Sequence, residues 1–204
     1  MKFDLHVHSK YSKDCKMEPS LILKTAKSAG LSGVAITDHD TVEGGIIASK
    51  IDSDVKVICG AEIRTDRGEV IGYNLNEEIT KRDFFEVTDE IKDQGGIVSI
   101  PHPFDIFRVY RTKLTGEVLE AVDCIEVLNS RCAISALNEK ARRFAEKRNL
   151  PMTAGSDAHT LSEIGASGVV VNSPGDIGTK NVEIFGGQSS LRDIALKKIS
   201  RVLG

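Results

Sequence analysis

All five histidines of this chain lie at or just beyond the ends of short apolar runs. They are His6, His8, His39, His102 and His159. Short apolar runs separated by helix-like segments are typical of a repeating βα chain with a buried parallel sheet. In such folds the carboxyl ends of the strands open onto one face, where the functional site is built. The pattern therefore predicts one polar site that gathers side chains from most of the chain.

The first run carries two histidines in alternation with two aliphatic residues. On an extended strand, His6 and His8 would share one face, and Leu5 and Val7 the other. Imidazoles so placed have Cβ atoms about 7 Å apart and can converge on one cation at about 2.0–2.1 Å. The pair alone fits two ordinary half-buried histidines equally well. Its meaning depends on what the other predicted strands bring to the same face.

The apolar and polar patterns predict an alternation of strands and helices. We expect strands at 3–7, 33–37, 55–59, 97–100, 124–128, 150–154 and 168–171. We expect helices at 19–30, 44–50, 84–94, 117–122, 135–148 and 189–203. Residues 63–73 interrupt this order and indicate a hairpin or a strand with a local excursion, with a turn at 66–68. Pro103 predicts an extended backbone at His102, and residues 104–113 fit either a mobile substrate loop or an ordinary surface loop.

Six or seven βα units point to an α/β fold. The candidate site draws on strands from nearly the whole chain, which favours a closed TIM-like barrel over an open sheet with one switch point. The 204 residues predict a single domain (1–204), with a motif-bearing barrel at 1–171 and a closing segment at 172–204. Neither a G-x-G-x-x-G turn after the first strand nor a G-x-x-x-x-G-K-[ST] loop occurs, so dinucleotide and P-loop sites are not indicated.

Charge and composition limit the partners. The net charge of −3 gives no basic field, so nucleic acid would be bound only as a substrate in a local cleft. We expect no signal peptide and no membrane span, since no basic leader and no run of 18 apolar residues occurs, and hence a cytoplasmic location. The four cysteines lack C-x-x-C spacing and do not indicate a disulfide scaffold. No obligate protein partner is expected.

Five short motifs hold the polar residues that follow the predicted strands. They are His6-Val7-His8 after Asp4, Thr37-Asp38-His39-Asp40, Gly60-Ala61-Glu62, His102-Pro103 and Gly155-Ser156-Asp157-Ala158-His159. Their order and spacing resemble those of the PHP (polymerase and histidinol phosphatase) family of metal-dependent phosphoesterases. The resemblance spans residues 1–171 and implies a distorted (β/α)7 barrel with two or three divalent cations at its C-terminal mouth.

The same resemblance implies a ligand scheme. It assigns His6, His8, Glu62 and Asp157 to one ion, Glu62 and His102 to a second, and Asp14, His39 and His159 to a third. Where some relatives supply a histidine to the second ion, this chain has Asn129. An asparagine amide is a much poorer ligand, so water and substrate would complete that shell.

The donor set itself indicates the chemistry. Five imidazoles and three carboxylates suit Zn²⁺, Mn²⁺ or Fe²⁺ better than Mg²⁺ or Ca²⁺. Two such ions about 3.5–4 Å apart would lower the pKa of a shared water, and the bridging hydroxide, held by way of Glu62 and Asp157, is the expected nucleophile.

Other residues are expected to bind substrate or to orient ligands. We expect Arg131, Asn129 and Arg108 to contact the substrate, because a guanidinium fork matches phosphate geometry. The alternative for either arginine is a surface ion pair. Asp38 and Asp40 are expected to orient His39 and its neighbours.

Two classes of function remain open. The first is a hydrolase of a phosphate ester on a small metabolite or nucleotide, with nucleoside 3′,5′-bisphosphates or the terminal nucleotides of short RNA favoured and histidinol phosphate as the alternative. The second is a non-catalytic metal-binding or interaction module. Eight candidate ligands opening to solvent favour the enzyme, because structural metal sites are closed and usually hold one ion.

Overall fold

The computed structural model describes residues 1–187, so the helix expected at 189–203 lies outside the described residues. The strands are β1 (Lys2–Val7), β2 (Gly33–His39), β3 (Lys56–Thr65), β4 (Gly68–Tyr73), β5 (Ile97–Ile100), β6 (Cys124–Asn129), β7 (Met152–Gly155), β8 (Ser167–Val170) and β9 (Glu183–Gly186). The helices are α1 (Pro19–Ser28), α2 (Glu43–Ser49), α3 (Phe84–Asp93), α4 (Gly116–Ala121) and α5 (Ser135–Arg148).

The strands form one sheet in the order β7-β6-β5-β4-β3-β2-β1-β8-β9. Strands β1, β2, β3, β5, β6 and β7 run parallel, whereas β4 is antiparallel to both β3 and β5. The chain beyond β7 returns to the end of β1, where the His8 N–H donates to the Ala158 carbonyl at 3.0 Å. The sheet therefore nearly closes on itself, and the predicted α/β barrel is confirmed, with a somewhat different strand count.

Two departures from the simple βα repeat lie at the hairpin and at the C-terminal strands. Residues 63–73 do form a hairpin, in which the end of β3 pairs with β4 around the turn at 66–67. The strand expected at 168–171 is β8, but it runs antiparallel to β1 instead of completing the parallel series. Strand β9 adds to β8 in a segment for which no strand was expected.

A bulge in β1 turns the two histidines into the barrel mouth. The pairing of β1 with β2 shifts register between Asp4 and Val7. Leu5 packs in the barrel interior with Tyr73, whereas Val7 packs on the helix side with Ile22. The expectation that Leu5 and Val7 share one face is therefore wrong, because one extra residue in the strand reverses the alternation.

The close approach of β7 to β1 requires a glycine. A Cβ atom at Gly155 would lie 2.3 Å from the Cβ of His6 and 2.5 Å from its backbone nitrogen. Only a residue without a side chain lets the end of β7 lie against the His6 backbone. This contact brings the segment that carries Asp157 beside the two histidines of β1.

Candidate metal centre

Four side chains direct their ligand atoms at one buried point. The Nε2 atoms of His6 and His8 lie 3.1 Å apart, and each is 3.5 Å from Oε2 of Glu62. Oδ1 of Asp157 lies 3.8 Å from the first imidazole and 3.4 Å from the second. Ligands held tetrahedrally at about 2.0–2.1 Å from one ion are roughly 3.3–3.5 Å apart. The observed spacing fits that geometry.

The burial of these atoms supports the same conclusion. Oε2 of Glu62 and Oδ1 of Asp157 are buried and have no hydrogen-bond partner within the described residues. Buried carboxylate oxygens without partners carry a desolvation cost that a bound cation would remove. The four side chains therefore fit a divalent ion.

Glu126 holds one of these imidazoles in place, and sequence reasoning missed it. Its Oε1 lies 3.0 Å from Nδ1 of His6, the ring nitrogen that faces away from the site. Its Oε2 accepts from the backbone N–H of His102 at 2.7 Å. Metal-ligating histidines commonly bond a carboxylate through the second ring nitrogen, which fixes the ring. The available signal was a charged residue inside the otherwise apolar run of β6.

Asp38 orients the loop after β1, as expected. Its Oδ1 accepts from the Ser12 hydroxyl at 2.9 Å and from the Ser9 N–H at 2.6 Å. The Ser12 hydroxyl also lies 3.1 Å from Nδ1 of His8 and accepts from the His39 N–H at 2.9 Å. Asp38 therefore acts on two predicted ligands by way of one serine.

Asp40 does not orient His39. Its Oδ1 accepts from the Arg64 N–H at 3.0 Å and lies 3.5 Å from Nη2 of Arg82. The backbone of Asp40 has a φ of 58°, which directs the carboxylate away from the preceding histidine and towards these arginines. Asp40 was expected to orient His39, whereas in the structure it bonds the Arg64 backbone and lies near Arg82.

The three residues assigned to a third ion also lie together. Oδ2 of Asp14 is 2.9 Å from Nε2 of His159, and Oδ1 is 3.7 Å from Nε2 of His39. Nδ1 of His39 faces the other way and lies 3.2 Å from Oε2 of Glu62. This group is therefore continuous with the first four ligands through Glu62.

His102 contacts the opposite side of Glu62. Its Nε2 lies 2.9 Å from Oε1 of that carboxylate. The expected extended backbone is wrong, since His102 has a φ of 30°. Its N–H is held by Glu126 and its carbonyl accepts from the Asp105 N–H at 3.0 Å. These tertiary hydrogen bonds override the usual preference before a proline and hold a strained backbone beside the site.

Asn129 is not placed to ligate a metal or to touch substrate. The residue is fully buried, and its Nδ2 donates to Glu126 at 3.0 Å and to Asp157 at 3.2 Å. Its Oδ1 accepts from the Arg131 N–H at 2.9 Å. Because the amide is fully used within the protein, the expected substrate contact is corrected to a positioning role on Asp157.

The two arginines predicted to bind substrate lie in different surroundings. The Arg131 side chain lies 3.6 Å from Oε2 of Glu163, which matches the ion-pair alternative, and it does not line the cleft described below. Arg108, by contrast, bonds Oδ2 of Asp157 and lies 3.4 Å from Oδ2 of Asp105. The 104–113 loop thus carries a cation into the site.

The burial and the charges of the site shift the pKa values of His6 and His8 in opposite directions. Burial lowers the pKa of His6, but the charges of Asp157, Glu126 and Glu62 outweigh it and raise that pKa well above its ordinary value. Burial and the neighbouring His159 lower the pKa of His8 to about 3. A proton on His6 therefore partly balances the carboxylates, a role that a divalent cation would also fill.

The ligands open into a cleft of about 600 Å³. Its lining residues are Lys13, Asp14, His39, Asp40, Glu62, Arg64, Glu69, Arg82, Phe107, Arg108, Val109 and Tyr110. Four of them are basic, and three others are apolar or aromatic residues of the 104–113 loop. Sequence reasoning missed Lys13, Arg64, Arg82 and Glu69 as residues of the cleft.

Comparison with known proteins agrees with this geometry. The family model of the PHP domain matches residues 4–148, and that of a PHP-associated region matches residues 136–180. The chain belongs to the PHP family. In this member of the family, the histidine and carboxylate clusters able to bind metal ions lie at the barrel mouth.

This PHP protein is also similar to two archaeal proteins and to a solved structure. It is 38% identical over 167 residues to the uncharacterized protein MJ1587 of Methanocaldococcus jannaschii, an alignment that covers 72% of this chain and 95% of the relative. It is also 38% identical over 171 residues to the uncharacterized protein MJ0417 of the same organism, an alignment that covers 81% of this chain and 68% of the relative. A two-domain protein from Bacteroides vulgatus, described as containing a predicted PHP-like metal-dependent phosphoesterase, has the same fold with a TM-score of 0.76 and 18% identity, covering 98% of this chain and 69% of that one.

The PHP protein shows no candidate membrane segment in its described part. Within residues 1–187, no helix combines the length and the apolar character that a membrane span requires.

Proposed function

We propose that this PHP protein hydrolyses phosphate esters of nucleotides, with nucleoside 3′,5′-bisphosphates or the ends of short RNA as substrates. The observation that carries the proposal is the convergence of His6, His8, Glu62 and Asp157 on one point at the base of a cleft with a basic rim. Divalent ions held there would supply an activated water and neutralise charge on the phosphate.

The basic side chains divide into an inner and an outer set. Arg108 lies against Asp157 and is only 25% exposed, so its guanidinium would contact the phosphate that is being cleaved. Arg64 and Arg82 lie on the rim near Asp40. They would bind a second phosphate that is not being cleaved, which supports a doubly phosphorylated substrate over a simple monoester.

The loop above the cleft offers aromatic surface for a base. Phe107 is 64% exposed at the rim, and the Arg64 guanidinium lies 3.3 Å from the centre of the Tyr110 ring. Exposed aromatic rings and arginine planes beside a basic groove are the features on which nucleotide bases stack. An open cleft of this kind also argues against a closed structural metal site.

The test is a substrate panel with protein loaded with Mn²⁺ or Zn²⁺. We expect kcat/KM for adenosine 3′,5′-bisphosphate to exceed that for adenosine 5′-monophosphate at least tenfold, because one contact between charged groups contributes about 1.5–3 kcal/mol. Histidinol phosphate, short RNA and an Asp157→Asn variant complete the panel. If the protein prefers histidinol phosphate, the proposed nucleotide substrate is wrong. If it hydrolyses no ester, a non-catalytic metal-binding or interaction module is the better explanation.

A further inference from the structure

Glu69 lines the cleft at the barrel mouth and was not among the site residues expected from sequence. It pairs with Arg64 across the β3–β4 hairpin, and Glu62 pairs with Ile71 in the same ladder. Because side chains alternate along a strand, Glu69 lies on the same face as Ile71 and Tyr73, which fill the barrel interior. The hairpin therefore carries the Glu69 carboxylate inward, above that core.

The nearest functional groups are Glu62 and His102. Oε2 of Glu69 lies 3.9 Å from Nε2 of His102, which is itself 2.9 Å from Oε1 of Glu62. One ligand atom from each of these three residues lies within 4.8 Å of the other two. Ligands about 2.1 Å from a common ion are roughly 3–3.6 Å apart, so a small side-chain movement would complete the shell.

Glu62, Glu69 and His102 are buried, unlike the carboxylates of an ordinary surface cluster. Glu62 and His102 are 1% and 3% exposed, and Glu69 is 9% exposed. A pair of buried carboxylates this close to one imidazole is favourable only when a cation or a proton neutralises part of the charge.

Asn129 stands where some relatives supply a histidine to the second ion. Its amide bonds Glu126, Asp157 and the Arg131 backbone within the protein. Without that histidine the position needs another donor, and Glu69 on β4 brings a carboxylate to 3.9 Å from Nε2 of His102.

We propose that Glu69 is a ligand of the second divalent ion, together with Glu62 and His102. Because a carboxylate then replaces a histidine, the second position of this protein favours an oxygen-preferring ion such as Mn²⁺ over Zn²⁺. The proposal rests on the proposed function, since it places a metal-dependent site at this mouth.

The test measures bound Mn²⁺ directly in the full-length protein, by equilibrium dialysis and electron paramagnetic resonance. We expect Glu69→Gln to bind one ion fewer per chain, or to bind the second ion at least 10- to 100-fold more weakly. The spin-coupled signal of a bridged Mn²⁺ pair should give way to a mononuclear signal. Glu77→Gln, the same substitution at an exposed site, should keep the wild-type ion count.

Each outcome decides the assignment. An unchanged ion count together with an unchanged affinity for the second ion in Glu69→Gln overturns it. If Glu69→Gln does not fold, Glu69→Asp replaces it, because this change keeps the charge and should weaken the binding of the second ion without abolishing it. Unaltered binding in Glu69→Asp would also overturn the assignment. If the wild-type protein hydrolyses no phosphate ester but Glu69→Gln loses one ion, Glu69 is a ligand and the proposed function is wrong. If the wild-type protein is active but Glu69→Gln binds ions as the wild type does, the proposed function stands and Glu69 is not a ligand.

Discussion

At the scale of single residues, the two arginines predicted from the sequence have different surroundings. Arg108 reaches the carboxylate of Asp157, whereas Arg131 pairs with Glu163. We expect Arg108→Ala to lower kcat/KM for the preferred phosphate ester about 10- to 100-fold, because it removes about 1.5–3 kcal/mol of contact with a charged group. Arg111→Ala, on the same loop, serves as the charge-matched control.

Steady-state kinetics of Arg131→Ala distinguish the two arginines. Since its guanidinium is paired outside the cleft lining, we expect a change of less than about threefold. A larger loss in Arg131→Ala than in Arg108→Ala would contradict the structure and restore the assignment made from sequence.

Glu126 provides a second prediction at the same scale. Glu126→Gln removes the charge that fixes Nδ1 of His6 and should weaken the affinity of the first ion about 10- to 100-fold, as expected for a carboxylate behind a histidine ligand. Competition with a chelator measures this affinity. Glu120→Gln, an exposed change on α4, should leave it unaltered; equal affinities in both variants would show that Glu126 does not set the ring position.

At the scale of elements, the β3–β4 hairpin is the feature that most departs from the βα repeat. Its turn places Gly68 at a φ of 123° against the start of the segment that leads into α4. A Cβ atom there would lie 2.4 Å from Oγ1 and 2.6 Å from the backbone nitrogen of Thr112. The hairpin and the loop that carries Arg108 are thus packed against each other.

We expect Gly68→Ala to lower the free energy of unfolding by about 2–4 kcal/mol, through both backbone strain and overpacking. The control is Gly95→Ala, where φ is 73° but no atom lies within 4 Å of the added Cβ. That change should cost only about 1–2 kcal/mol. Urea unfolding followed by circular dichroism measures both, and equal losses would show that contact with Thr112 is not important.

At the scale of the whole molecule, the site joins distant parts of the sheet. His6 and Glu62 come from β1 and β3, and Asp157 follows β7, which lies at the opposite end of the strand order from β9. An ion that binds these residues in the folded state but not in the unfolded chain stabilises the whole barrel.

Metal removal should therefore lower the thermal stability. An ion present at 100 times its Kd contributes about 2.7 kcal/mol, which corresponds to roughly 5–10 °C in Tm for a chain of this size. We expect Mn²⁺ or Zn²⁺ to raise the Tm of chelator-treated protein by this amount in calorimetry. The rise should be smaller in His6→Ala, which keeps the residues proposed for the second ion, and a rise of the same size in that variant would place the first ion elsewhere.

The barrel class, most of the elements and the motifs of the mouth could be predicted from sequence alone. Apolar runs and helix periodicity depend on neighbours only a few residues away, so α5 was predicted with the bounds that the structure shows. The histidines after strand ends indicated one shared site, because parallel strands place their carboxyl ends together.

Which side chains meet within that site depends on tertiary contacts. The register shift in β1 put Leu5 and Val7 on different sides of the sheet, against strict alternation, and the antiparallel β4 carried Glu69 to the barrel mouth. Hydrogen bonds from elements distant in sequence bent the backbone at His102 and committed the Asn129 amide to Asp157. Such contacts join residues far apart in the chain, and local residue preferences carry no information about which distant partner a buried polar group will find.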